Sequence, residues 1–444
     1  MTIRLPASAS RALTLLQAAG HEAYVVGGCV RDSLLHKSPA DWDVTTSARP
    51  EQILEVFRNE RTIPTGLEHG TVTVLLEGEP VEITTYRIDG AYTDYRHPDA
   101  VSFTASLSED LRRRDFTINA LAYDPATGLV DICSGVADLE QQRIVCVGDP
   151  EMRFTEDALR ILRALRFSAV LGFPIEKMTA AALRKLAPLL RRIAPERVAA
   201  ELKKLLCGKD CRRVLLEYPD VLGVILPELT PMVGLQQENP YHYLTVYEHT
   251  AETVQAAPPE LVLRLTMLFH DCGKPQCYTR DAAGVDHFRG HAAISAAMAE
   301  QALERLRFDR RTIDTVKQLV LHHDDDLPAT ATGCKRMLNR FGAEQTLALI
   351  AVHRADILGQ HPDKRDRLDA LDSLEREMTA LVDSGCCVNL KALAVHGNDL
   401  LSIGFPSGRR LGDTLQQLLE EVMDGKLPNE RSALLARAAK LNQT

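Results

Sequence analysis

Two carboxylates two residues apart, Asp41 and Asp43, lead into a β-branched run, Asp43-Val44-Thr45-Thr46. Side chains alternate along an extended strand, so this spacing aims both at one face. Two carboxylates on one face repel each other unless a cation lies between them. A hard ion such as Mg²⁺ suits the pair, because it takes one or two carboxylates and completes its shell with water and substrate phosphates. Upstream, Tyr24-Val25-Val26 reads as a short buried strand running into Gly27-Gly28, where bare backbone can approach a phosphate. Val30-Arg31-Asp32 then opens a helix. An isolated Asp-x-Asp is common on solvated strand ends, and Gly-Gly is usually a turn. The ordered set of strand, Gly-Gly, helix and Asp-x-Asp strand predicts a nucleotide and its metal.

A second constellation lies in Thr155-Glu156-Asp157-Ala158-Leu159-Arg160-Ile161-Leu162-Arg163-Ala164-Leu165-Arg166-Phe167. Thr155 is the expected N-cap, followed by two acids in the first turn, with Gly172-Phe173-Pro174 as the stop. Leu159, Leu162 and Leu165 form an apolar stripe; Asp157, Arg160, Arg163 and Arg166 form a polar stripe beside it. Asp157 only accepts hydrogen bonds and Arg160 only donates them. Side by side they complement a base edge that offers an amino donor next to a ring-nitrogen acceptor. Cytosine and adenine present that order, and uracil and guanine reverse it. Mismatched buried groups can discriminate by about 10⁴ to 10⁵. Arg163 and Arg166 are then left for phosphates. The alternative is an exposed helix laced with ion pairs.

These residues need an α/β frame and a long helical continuation. At 444 residues the chain suggests two to four units. Thr71 to Leu76 and Val81 to Arg87 read as strands around a Glu77-Gly78-Glu79-Pro80 turn. From Asp149 onward the periodicity is helical. No stretch reaches the length of a membrane span, and the N-terminal residues do not read as a signal peptide. Ten cysteines without a Cys-x-x-Cys pair suit reduced thiols in a cytoplasm. A net charge of -9 argues against non-specific coating of nucleic acid. Between Arg184 and Arg213, however, ten Lys/Arg face three acids, which is either a track for RNA phosphates or a solvated helical surface.

The third segment, Asp110-Leu111-Arg112-Arg113-Arg114-Asp115-Phe116-Thr117-Ile118-Asn119-Ala120-Leu121-Ala122, joins GGCVRD…DWD and EDALRILRALRFSAVLGF into an ordered set. GVADL at 135–139, APERV at 194–198 with Glu201-Leu202, and the late GNDLLSIGFPSG extend it. On these motifs the chain closely resembles bacterial class II tRNA nucleotidyltransferases, the group of CCA-adding enzymes, their CC- and A-adding relatives and poly(A) polymerases. The resemblance covers nearly the whole chain.

It implies an α+β fold: a small polymerase β-like nucleotidyltransferase head over 1–147, a helical neck over 148–235, an HD-type helical domain over 236–365, and a helical, tRNA-contacting tail over 366–444. It implies that Asp41 and Asp43 bind catalytic Mg²⁺. Gly28, Arg31 and Arg114 would contact the triphosphate, Asp157 and Arg160 would pair with the base, and Arg163 and Arg166 would support it. The implied reaction is attack of an RNA 3′-hydroxyl on the α-phosphate of CTP or ATP, with metal ions about 4 Å apart. Glu82, on the strand with Thr84 and Tyr86, is the expected third carboxylate; a strand salt bridge is the alternative. Arg87 to Phe103 matches the flexible loop of enzymes that reach the final A, and the chain lacks a basic C-terminal extension of the poly(A) polymerase kind. Full CCA addition to tRNA is the favoured reading, ahead of A-only addition and poly(A) synthesis.

His249, His270-Asp271 and Asp356 recur in the order of an HD-type phosphohydrolase, with His291, His322, His323 and His353 nearby in sequence. Imidazole with carboxylate suits Mn²⁺, Ni²⁺ or Fe²⁺ better than Mg²⁺. A chain whose main activity is this hydrolysis, with the head only binding RNA, and a non-catalytic RNA scaffold are the competing classes. The intact Asp41/Asp43 pair argues against both.

Overall fold

Val72, Val74 and Leu76 are buried while the residues between them are half-buried, the period-2 pattern of a sheet covered on one side. The computed structural model describes residues 2–67, 70–89 and 101–442. Most of the expected loop at 87–103 therefore lies outside the described residues. The chain divides into two units, Met1–Thr230 and Pro231–Thr444.

The first unit begins α1 (Ala7–Ala18), β1 (Ala23–Val26), α2 (Gly28–Leu34), β2 (Asp43–Thr46), α3 (Pro50–Val56), β3 (Arg61–Gly66), β4 (Thr71–Leu76) and β5 (Glu79–Thr85). It continues with β6 (Arg87–Asp89), β7 (Val101–Phe103), α4 (Leu107–Arg112), β8 (Leu121–Asp124), β9 (Gly128–Asp131) and α5 (Gly135–Glu140). Seven strands form one mixed sheet in the order β3-β4-β5-β2-β1-β8-β9, while β6 and β7 pair separately. Only β2 and β5 run parallel, with Asp43 beside Glu82, Val44 beside Ile83 and Thr45 beside Thr84. Val44, Ile83 and Val72 share the face covered by α1 and α3, where Leu13, Leu16, Ile53 and Phe57 are buried. Asp43, Glu82 and Thr73 share the other face. The turn between β4 and β5 is tighter than expected: Glu77 and Gly78 both take positive φ, and Glu79-Pro80 already belong to the strand.

Helices follow: α6 (Pro150–Glu156), α7 (Leu159–Leu171), α8 (Lys177–Leu186), α9 (Pro195–Leu206), α10 (Cys211–Glu217) and α11 (Pro219–Ile225). The single helix expected from Thr155 is two. Asp149 caps α6 by accepting from the Glu151 amide at 3.0 Å, with Pro150 in the first turn. Thr155 lies inside α6 and donates to the Glu151 carbonyl at 2.7 Å. At Asp157 the backbone turns extended (φ -135°, ψ 103°), and its carboxylate accepts from the Leu159 amide at 3.0 Å. That local bond competes with helix continuation and starts a new helix.

In the second unit come α12 (Val246–Ala256), α13 (Leu261–Phe269), α14 (Lys274–Cys277), the short hairpin β10 (Thr279–Arg280) and β11 (Asp286–His287), α15 (His291–Arg305) and α16 (Arg310–Leu321). Then follow α17 (Ala331–Gly359), broken at Gly342 with φ +75°, α18 (Arg367–Asp383), α19 (Gly397–Ser402), α20 (Arg409–Met423) and α21 (Arg431–Asn442). Cys334, Leu338 and Ile357 share one core with Leu371, Leu374 and Met378, so α17 and α18 pack together. Leu393 to Ala438 form a separate core.

Candidate active site

The open face of the first unit's sheet collects the acids. Asp43 is half-buried at the start of β2, Asp41 is exposed just before it, and Glu82 is exposed on β5 next to Asp43. Neighbouring strands lie about 4.8 Å apart, so these like charges oppose each other directly. Burial, then Asp41, then Glu82 push the Asp43 carboxyl up to about 6, against a lowering pull from Arg114. A divalent cation relieves that repulsion, and the donor set is all oxygen, as Mg²⁺ prefers. The residues present therefore fit such an ion.

The turn beside them is built for close approach. Gly27 has φ +82°, its amide donates to the Leu121 carbonyl at 2.9 Å, and a Cβ there would lie 3.0 Å from Arg114 Nη1. Only glycine meets both conditions. From α2, Arg31 donates through Nη1 to Asn119 Oδ1 at 2.6 Å and through Nε to Asp32 at 2.8 Å.

Two buried carboxylates missed at the sequence level hold the arginines in place. Asp110 accepts from Thr45 Oγ1 at 3.1 Å, the Arg87 amide at 3.4 Å, Arg113 Nη2 at 2.7 Å and Arg114 Nη2 at 3.4 Å. Burial pushes its carboxyl up, but Arg114 and Arg113 outweigh that and hold it below the usual range. Asp115 accepts from Asn119 at 3.1 Å and from Arg163 Nε at 2.7 Å. Burial opposes its ionisation, yet Arg163 and Asn119 bring it down to about 2. Both acids flank Arg112-Arg113-Arg114 in the sequence, and that alternation was the available signal.

Asp157 lies in the α6–α7 break and Arg160 in the first turn of α7. Asp157 Oδ2 is 3.6 Å from Arg197. Arg160, largely buried, donates to Glu156 at 2.7 Å and to the carbonyls of Arg153 at 3.1 Å and Arg113 at 3.2 Å. Arg163 and Arg166, expected to be left for phosphates, are engaged within the protein instead: Arg163 with Asp115, and Arg166 with Glu201 at 2.9 Å. Asp115 and Glu201 are the buried members of these pairs, and a buried carboxylate requires a cationic or hydrogen-bonding partner. The Phe167 ring carries Arg166 at 4.0 Å, Arg31 at 5.1 Å and Arg163 at 5.4 Å from its centroid. In the basic stretch, Arg191, Arg192, Lys204, Lys209 and Arg212 are exposed.

The four residues expected at the second site also meet. Thr245 and Glu248 form a capping box that starts α12 one turn before His249. His249 Nε2 lies 3.0 Å from Asp356 Oδ1 and 3.3 Å from His270 Nε2, and Asp271 Oδ2 lies 3.3 Å from His270 Nε2. His249 Nδ1 meets the Gly359 carbonyl at 3.1 Å, and a Cβ on Gly359 would fall 3.0 Å from that nitrogen. Burial pushes Asp271 up, but His270 and Lys274 hold it well below the usual range. Of the nearby histidines, His291 and His323 join the cluster, whereas His322 turns to Asp325 at 2.7 Å.

An acid-bearing strand pair beside a Gly-Gly turn, with arginines clamped behind it, defines a nucleotidyltransferase head. A family model described as the poly A polymerase head domain matches residues 23–145. Models for the probable RNA and SrmB-binding site of polymerase A and for tRNA nucleotidyltransferase domain 2 match 172–233 and 288–438. The CCA-adding enzyme of Levilactobacillus brevis is 37% identical over 424 residues, covering 96% of this chain and 95% of that protein. The Lactobacillus helveticus CCA-adding enzyme is 36% identical over 95% and 94% of the two chains. The crystal structure of the Bacillus stearothermophilus CCA-adding enzyme in complex with CTP superposes with a TM-score of 0.72 at 28% identity, over 98% and 97% of the two chains. The Thermotoga maritima enzyme complexed with tRNA shares the fold, with a TM-score of 0.57 at 20% identity over 98% and 94%. The chain belongs to the CCA-adding tRNA nucleotidyltransferases.

Proposed function

We propose that this protein adds C, C and A to the 3′ end of tRNA from CTP and ATP without a nucleic-acid template, releasing pyrophosphate. The observation that carries the proposal for the site is the juxtaposition of Asp41, Asp43 and Glu82 on the face beside Gly27. Asp41 and Asp43 would hold Mg²⁺, which when bound would supply charge neutralisation at the reacting phosphate and at the 3′-hydroxyl. Glu82, beside Asp43 on the neighbouring strand, would be the third carboxylate facing the ion. Gly28 gives the triphosphate access to backbone, and Arg31 and Arg114 meet its oxygens.

Asp157 and Arg160 read the base edge. Asp157 keeps acceptor capacity beyond the Leu159 amide. Arg160 exchanges one of its contacts for the base, so an ill-matched edge leaves a buried donor unpaired. Arg163 and Arg166, fixed by Asp115 and Glu201, hold the wall behind that edge. The exposed cations between 191 and 212 follow the tRNA backbone. All ten cysteines are free, which suits a reducing cytoplasm, and among the described residues no helix is long and apolar enough to cross a membrane.

The test is a primer-extension gel on tRNA transcripts ending at the discriminator base, at -C and at -CC. The expected result is C, C and A with a clean stop, lost in Asp43→Ala without loss of tRNA binding. Growth only from -CC means A-addition, long A ladders mean poly(A) synthesis, and wild-type addition by Asp43→Ala overturns the metal assignment.

A second reading rests on the convergence of His249, His270, Asp271 and Asp356. Their mixed imidazole and carboxylate donor set suits Mn²⁺, Ni²⁺ or Fe²⁺, and such an ion would support hydrolysis of a phosphate ester. Release of phosphate from p-nitrophenyl phosphate, lost in His270→Ala, is the expected result; no metal-dependent release overturns it.

A further inference from the structure

Asn119 is buried at the end of a short 3₁₀ turn, Thr117–Asn119, and its main-chain oxygen would lie 3.7 Å from a Cβ on Gly27. Its side chain joins two groups already described, and the partners fix which way the amide faces. Arg31 only donates, so Oδ1 accepts from Arg31 Nη1 at 2.6 Å. Asp115, ionised beside Arg163, only accepts, so Nδ2 donates to Asp115 Oδ1 at 3.1 Å. The amide dipole thus lies with its negative end on a cation and its positive end on an anion. No charged residue of this size fills both roles: a carboxylate would oppose Asp115, and an ammonium would oppose Arg31.

The run of bonds continues beyond Asp115. Its Oδ2 accepts from Arg163 Nε at 2.7 Å, and Arg163 lies one turn beyond Arg160 on α7. At the other end, Arg31 Nη2 lies 3.8 Å from where a Cβ on Gly28 would stand, against the glycine turn. Arg31, Asn119, Asp115 and Arg163 therefore reach from the phosphate end of the site to the helix that carries Arg160. Phe167, a further turn along α7, closes the circuit. Its centroid lies 5.1 Å from the Arg31 guanidinium and 5.4 Å from that of Arg163, and Phe116 packs edge-on against it at 5.8 Å. Arg160, Arg163 and Phe167 recur at i, i+3 and i+7, on one face of α7. Arg31, Asp115, Asn119 and Phe167 are all buried, so close packing passes a shift at one member on to the next.

We propose that Asn119 is a positioning residue that couples the two ends of the nucleotide, so that base selection at Asp157 and Arg160 depends on engagement of the triphosphate by Arg31. The inference rests on the nucleotide roles proposed above for those three residues and adds the link between them. Such coupling is reciprocal: a matched base tightens the hold on the phosphates, and bound phosphates sharpen the choice of base. Without the link the two ends bind independently, and a change at Arg31 weakens every nucleotide by the same factor.

The experiment is isothermal titration of the full chain with CTP and with UTP, in Mg²⁺ and without tRNA, so that no transfer occurs. The readout is the ratio of the UTP to the CTP dissociation constant. Arg31→Lys keeps the charge and loses the geometry at the phosphate end, yet should lower that ratio about fivefold or more. Asn119→Ala should lower it by a similar factor, and the double variant should lower it no further. A merely structural role weakens CTP and UTP equally, and equal weakening in either single variant overturns the coupling. If circular dichroism shows that Asn119→Ala does not fold, the near-isosteric Asn119→Asp replaces it. That variant keeps the acceptor for Arg31 and sets a like charge against Asp115, so the ratio should fall likewise. If neither folds, wild type and Arg31→Lys decide the matter alone. A wild-type chain that binds UTP as tightly as CTP overturns the base-edge assignment itself, a result distinct from uniform weakening in the variants.

Discussion

Replacing Asp43 by Asn should stabilise the metal-free first unit at neutral pH while abolishing nucleotide addition. The carboxyl is pushed from its ordinary value of 3.8 to about 6 by burial and by Asp41 and Glu82. A raised carboxyl favours the fold when protonated. Its contribution is therefore fully present below pH 3.8 and is lost as pH rises through 6. At about 1.4 kcal/mol per pH unit, the ionised group costs the metal-free fold about 3 kcal/mol, and about 2 after allowance for partial exposure. Asn keeps the shape and lacks the charge. Trp42, the one tryptophan, lies between the two aspartates and reports unfolding of this unit by fluorescence. Urea titrations in chelator should show wild type and Asp43→Asn converging at pH 4 and the variant ahead by about 2 kcal/mol at pH 7.5. Excess Mg²⁺ at 100 times its dissociation constant should return about 2.7 kcal/mol to wild type alone. A difference that stays flat from pH 4 to 7.5, or a variant weaker than wild type at pH 7.5, refutes the electrostatic argument.

Asp115→Ala leaves the half-buried Arg163 without its carboxylate and should cost about 1.5–3 kcal/mol in urea unfolding; a loss below about 1 kcal/mol means the pair is not needed. Gly27→Ala meets both a positive φ and Arg114 Nη1, so a destabilisation of about 1–3 kcal/mol with weakened nucleotide binding is expected. Unchanged binding by isothermal titration would remove the turn from the triphosphate site. Arg160→Ala should relax selection against UTP by at least about tenfold in single-turnover addition, and an equally selective variant ends its assignment to the base edge. If the five exposed cations between Arg191 and Arg212 track phosphates, raising salt from about 50 to 200 mM should weaken tRNA binding by roughly 10² to 10³-fold, and a flat response excludes the track.

Local signals carried four of the sheet's seven strands, β1, β2, β4 and β5, but not β3, β8 or β9. Alternating apolar residues gave β4 to the residue, and the Asp-x-Asp run gave β2. The chemistry-bearing types were likewise visible, because few other reasons place Asp43 beside a glycine turn or His270-Asp271 at the end of an apolar helix. Partners far apart in sequence were not visible. Nothing local reveals that Arg163 reaches Asp115 or that Arg166 reaches Glu201, since burial makes those pairings necessary and burial is a tertiary property. The break at Asp157 was hidden because a carboxylate that caps the next helix looks, in a linear pattern, like an ordinary first-turn acid. His322 and His323 are adjacent and chemically identical, and only the end of α16 decides which faces the cluster.

Asp110 has a consequence for anyone who would recombine these enzymes. One carboxylate fastens the strand after Asp43 through Thr45, the root of the 87–103 loop through the Arg87 amide, and Arg113 and Arg114. The Arg113 carbonyl in turn receives Arg153 and Arg160, at the α6–α7 break proposed to read the base. The strand that carries Asp43, the amide of Arg87 and the α6–α7 break are thus tied to a single short segment. A chimaera that exchanges α6 and α7 and loses Arg153 or Arg160 severs that tie at Arg113, whereas the link at Arg87 is a main-chain amide that survives exchange of the side chain. Grafts of those helices therefore keep these contacts when 107–115 travels with them, so the segment behaves as a shared splice point of the head and its first helices.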